Sequence, residues 1–183
     1  MSPSDYGDLL LVLLGFAVLT GAVGWYSSAR RIWAPITLAV LIAAGAVAAI
    51  PSYVEISSGW QTVLLVAFGA VVALAGGGPL TALVFDLVDR REPPAESLDQ
   101  AGHVLRGGAW IGALERIAIY ATLVAGWPEG LAVVLAVKGL GRYPELRAAE
   151  DGVRTGAAER FIIGTFASVL WACGCAGVVL LVR

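Results

Sequence analysis

No charged residue occurs between Leu9 and Tyr26, between Trp33 and Ile50, between Gln61 and Leu80, or between Phe161 and Val182. Apolar runs of this length constrain the fold more than any motif. About 20 apolar residues rising about 1.5 Å each cross a hydrocarbon core about 30 Å thick. Inside that core no water pairs with backbone N–H and C=O groups, so such runs fold as helices that satisfy their own backbones. Composition agrees: the chain is 58% hydrophobic and 14% charged, with a mean hydropathy of +0.82, where soluble domains carry roughly 25% charge. The formal net charge of −2 supplies no global basic field, which argues against nucleic acid as a partner.

Two more stretches approach membrane length but contain charge. Ala109 to Gly126 includes Glu115 and Arg116, and Pro128 to Tyr143 includes Lys138. The latter, at ~16 residues and ~24 Å, crosses only with local thinning or snorkelling, or is re-entrant. These two and the four charge-free runs predict an all-α polytopic protein of six transmembrane helices with a short fifth span. The chain then forms one membrane domain over 1–183, with three spans in 9–88, a connection at 89–106 and three spans in 107–183. The start MSPSDYGD has no basic region and reads as part of the mature chain rather than a removable signal peptide.

Arginine sets the predicted orientation. With the N-terminus outside, inward segments carry Arg30, Arg31, Arg90, Arg91, Arg106, Arg142, Arg147, Arg154 and Arg160, whereas the outward connections PSYVEISSGW and WPEG carry no Lys or Arg. This is the positive-inside pattern, and it puts the C-terminus outside as well. Trp25, Trp33, Trp60, Trp110 and Trp127 fall near the predicted interfaces. The expected location is the inner membrane of a bacterial cell, as a multi-pass protein. In the connection, Pro93 and Pro94 precede a predicted short surface helix with Ser97 and Gln100 at capping-box spacing and Leu98, Ala101 and Leu105 on one face.

A charge at the centre of a membrane helix costs about 2.5 to 3.5 kcal/mol on insertion scales. Glu115 lies about seven residues, or ~10 Å, from the inner end of its span, and Lys138 reaches a similar depth from the other direction. Lys138, Arg142 and Glu145 fall on one stripe at i, i+4 and i+7, provided the helix continues through Pro144. A Glu115–Lys138 pair surrounded by Arg116, Arg142, Glu145, Glu159 and Arg160 would turn isolated charges into an inward-facing cluster, serving as an ion-pair lock between helices or as a ligand site.

The second half, WIGALERIAIY followed by GLAVVLAVKGLGRYPEL and AAERFIIGTFASVLWA, resembles the C-terminal region of an uncharacterised bacterial integral-membrane family, a domain of unknown function, over about 107–172. The resemblance rests on Ile111, Gly112, Leu114, Glu115 and Arg116, then Lys138, Arg142 and Glu145, then Glu159, Ile163, Gly164, Thr165 and Ser168. Gly139 stands where the family often has Ser, and Arg160 where it often has an aromatic residue. The family carries no activity to transfer.

Elsewhere, Gly76, Gly77, Gly78 and Pro79 predict a helix break at the inner end of span three. No Lys-Ser or Lys-Thr follows, so a phosphate loop is not indicated. Gly108 with Gly112, and Gly164 with Ser168 and Ala172, have the spacing of close-packing faces. Cys173 and Cys175 point about 200° apart on a helix and read as small apolar fillers. His103 lacks the neighbours of a metal site. Asp86 and Asp89 read as a helix end at the surface.

No catalytic motif appears, which leans away from an enzyme, and no metal or cofactor is implied. Three functions remain. A small permease or channel would take an ion or small anionic solute, a lipid-binding protein or enzyme would hold anionic head groups, and an accessory subunit would bind another membrane protein. A homo-oligomer is expected for a permease this small.

Overall fold

A computed structural model describes residues 3–26, 28–50, 58–89, 108–148 and 151–183. Six helices make up this part of the chain: α1 Pro3–Val23, α2 Arg30–Ala48, α3 Gly59–Asp89, α4 Gly108–Val124, α5 Gly130–Ala148 and α6 Asp151–Leu180. The amphipathic helix expected around Leu98 and His103 lies outside the described residues.

Four helices, α1, α2, α3 to Val88 and α6 from Ala158, are long and apolar enough to cross a membrane. The chain is a multi-pass helical membrane protein. The two remaining helices are the ones whose sequences carry charge: α4 has 17 residues, and α5 holds Lys138, Arg142, Glu145 and Arg147.

Helices α3 and α6 pack against each other at the centre, with α1 and α2 on one side, α4 on the other, and α5 resting on α4 and lightly on α6. The core joins Leu10, Leu14 and Ala17 of α1, Leu41 and Ala44 of α2, Leu65, Val72 and Ala73 of α3, Tyr120 of α4, and Trp171, Cys175 and Val179 of α6. The outward faces are equally apolar, as at Val12, Phe16 and Leu19 on α1 or Ile162, Phe166 and Leu170 on α6. In membranes the solvent is itself hydrocarbon, so packing is set by how closely backbones approach rather than by hiding an apolar face. Gly21 and Gly76 illustrate this: a Cβ on Gly21 would stand 3.1 Å from the Gly76 nitrogen.

The turn between α4 and α5 follows from Gly126, whose φ of 76° is open to glycine. Trp127 N–H donates to the Thr122 carbonyl at 2.8 Å and Gly126 N–H to that of Leu123 at 3.0 Å, a Schellman closure of α4. Arg183 Nη1 adds a bond to the Val124 carbonyl at 3.0 Å, a cation at the negative end of the helix.

The largest departure from expectation is α3. Gly76, Gly77, Gly78 and Pro79 do not break it, and the helix runs 31 residues from Gly59 to Asp89, about 46 Å. α6, with 30 residues, is nearly as long. Both overshoot a single hydrocarbon thickness at the end of the bundle where α1 finishes and α2 and α4 begin, and there they flank a cavity.

Candidate functional site

Pro79 has no N–H, so the carbonyl of Ala75 four residues earlier loses its helical donor. Trp25 supplies one: its Nε1–H donates to Ala75 O at 2.8 Å. The three preceding carbonyls also receive side-chain donors. Arg116 Nη2 reaches Leu74 O at 3.3 Å, Arg116 Nε reaches Ala73 O at 3.0 Å, and Trp171 Nε1 reaches Val72 O at 3.2 Å. Four consecutive carbonyls of α3 are thus bonded from α4, α6 and the segment after α1.

The glycines make this possible. A Cβ on Gly76 would collide with Trp171 Cζ2, one on Gly77 with Arg116 Cδ, and one on Gly78 would stand 2.8 Å from Trp25 Cζ2. The triplet is a socket for three large side chains, and filling it accompanies a helix that continues through a sequence that reads locally as a breaker.

Arg116 is 3% exposed. Its third nitrogen, Nη1, donates to Ser168 Oγ at 3.3 Å, so one guanidinium ties α4 to α3 and α6. Gly69 opens the corresponding space for Tyr120, whose hydroxyl donates to Val66 O at 2.7 Å.

Beside this socket lies a cavity of about 420 Å³. Its wall includes Arg30, Arg116, Arg142, Arg160 and Lys138 with Glu115 as the carboxylate, and apolar surface from Trp25, Phe85, Ile111 and Phe161. Lys138 Nζ forms an ion pair with Glu115 Oε2, both side chains being nearly buried. Lys138 also sits 5.6 Å from the centre of the Phe161 ring, and Arg160 sits 5.4 Å from that of Phe85. Both are cation–π distances. At the edge, Arg30 Nη2 meets both Asp86 oxygens, at 2.8 and 3.1 Å.

The structure therefore brings together Glu115, Lys138, Arg142 and Arg160, and turns the nitrogens of Arg116 into the neighbouring socket. Glu159 is exposed and does not line the cavity. α5 continues through Pro144, but the side chain of Glu145 lies outside the described residues. Asp86, expected at the surface as a helix end, is within α3 and partly buried against Arg30. Gly108 has nothing within 4 Å of a built Cβ, so it borders the cavity instead of packing, whereas Gly164 does pack, with Phe85 Cζ 2.9 Å from such a Cβ. Cys173 and Cys175 are free thiols. No group of His, Cys, Asp and Glu capable of holding a metal occurs among the described residues.

The sequence reading missed Arg30, Asp86, Trp25 and Trp171. Each acts across a separation of about 50 residues or more, and only the Pro79-orphaned carbonyl hinted that a donor was required. Comparison with protein-family models, curated proteins and solved structures gives no match.

Proposed function

We propose that this membrane protein binds a small anionic solute in the cavity, as the inward-facing site of a small permease. The observation that carries the reading is the makeup of the wall: among the described residues five cationic side chains and one carboxylate line it, with Asp86 paired to Arg30 at the edge. Cations held at the edge of a low-dielectric membrane domain attract anions far more strongly than the same charges in water. Next to the cavity the bundle is tightly packed: Trp171 and Val72, which share the socket with Arg116, are 3% exposed or less. This fits a site open to one face only, as alternating access requires. The arginine distribution assigns that face to the cytoplasm.

A second reading has its own support. Ile111 lines the cavity while 40% exposed, and the adjacent Trp110 is 80% exposed. The cavity thus borders the lipid-facing surface, where an anionic head group would enter with its chains left in the bilayer. Protein in liposomes separates the two. Saturable sulfate or phosphate flux, lost in Arg142→Gln, is the expected result. A rise in melting temperature with anionic lipid and no flux would move the assignment to lipid binding. Absence of both responses would overturn the anion site.

A further inference from the structure

Glu115 Oε2 accepts from Lys138, but Oε1 is buried and receives no hydrogen bond from the protein; it is the one such carboxylate oxygen among the described residues. The next residue, Arg116, does not help, because each of its three nitrogens is directed at Ala73, Leu74 or Ser168. A buried carboxylate with one oxygen unmatched is relieved by taking a proton or by receiving a donor. Lys138, for its part, does not depend on Glu115 alone, since the Phe161 ring faces the same ammonium.

The other charged groups facing this pair are Arg116 on α4, Arg142 on α5 and Arg160 on α6, with the Arg30–Asp86 pair from α2 and α3 at the edge. An oxyanion drawn to these cations meets in Glu115 the like charge that opposes it. Protonation of Oε1 removes that charge and frees Lys138 to turn to the anion.

Resting on the anion-site reading above, we propose that the cavity takes a tetrahedral oxyanion together with one proton, which Glu115 accepts. No other bond is made or broken. By reciprocity, the anion favours protonated Glu115 as much as protonated Glu115 favours the anion.

The test uses sulfate, whose own charge is constant from about pH 5 to about pH 8, and detergent-purified protein carrying His103→Gln. That change removes the single histidine, which would titrate in the same range. Calorimetry in buffers of different ionisation enthalpy should report one proton taken up per sulfate bound at the upper end of this range. The sulfate Kd should be lowest at low pH and rise as pH rises, by at most about tenfold per unit. Adding Glu115→Gln should make the Kd independent of pH and close to the low-pH value. Sulfate binding without proton uptake, or a pH dependence unchanged by Glu115→Gln, would overturn the coupling and leave the anion site standing. Absence of sulfate binding would overturn the anion site itself. The proton count needs no substitution at Glu115, so it decides the matter even where that variant does not fold.

Discussion

The glycine socket on α3 and the cavity beside it are built from the same kinds of side chain and share Trp25 and Arg116 in their walls, yet they do opposite things with them. In the socket, every nitrogen of Arg116 meets a carbonyl or hydroxyl of the protein, and three glycines let the donors approach until no Cβ would fit. In the cavity, Lys138, Arg142 and Arg160 line about 420 Å³ of space instead of filling it. An intramembrane arginine is therefore not a functional marker by its presence alone. What distinguishes the two regions is whether the cation is packed into a fitted backbone socket or lines open space.

Breaking the socket should have the largest effect. Gly77→Leu places side-chain atoms where Arg116 Cδ and Nε lie, displacing a buried guanidinium from its acceptors. Loss of a buried charge's partners costs about 3 to 5 kcal/mol, and the variant should elute as aggregate or show no cooperative melt in detergent. A well-folded Gly77→Leu protein would show that the fit has no structural weight. A smaller loss is expected from Trp25→Phe, which keeps the ring and removes the donor to Ala75 O. About 1 kcal/mol of stability should go with that bond, read as a lower melting temperature with sulfate affinity little altered.

Much of this architecture is legible in the sequence, and the reasons for the rest are local. The four charge-free runs identify α1, α2, α3 and α6 because hydrocarbon leaves no alternative to helix. The Glu115–Lys138 pair follows from matching positions along adjacent antiparallel helices. The far end of α3 does not follow, because Gly-Gly-Gly-Pro has the propensity of a terminus and is overruled by Trp25, Arg116 and Trp171, none of which is near it in the chain. Likewise, Glu115 and Arg116 look like one motif in sequence, but consecutive residues on a helix point about 100° apart. Glu115 turns to α5 and Arg116 to α3. The Arg30–Asp86 contact joins the start of α2 to the last turn of α3, which meet only once the bundle is formed.

Two variants measured on two axes test the division most directly. Arg116→Met and Arg142→Gln are purified in detergent, and for each the melting temperature and the sulfate Kd are determined at one pH and ionic strength. Arg116→Met removes three hydrogen bonds of about 1 kcal/mol each and should lower the melting temperature by several degrees or more, with a smaller loss of sulfate affinity in the folded protein than Arg142→Gln gives, because the Arg116 nitrogens are held by Ala73, Leu74 and Ser168. Arg142→Gln should lower the melting temperature less than Arg116→Met does and weaken sulfate about tenfold or more, the effect of one charge-assisted hydrogen bond. The opposite pattern, with sulfate affinity lost through Arg116 and stability lost through Arg142, would contradict the assignment of the socket to structure and of the cavity to binding.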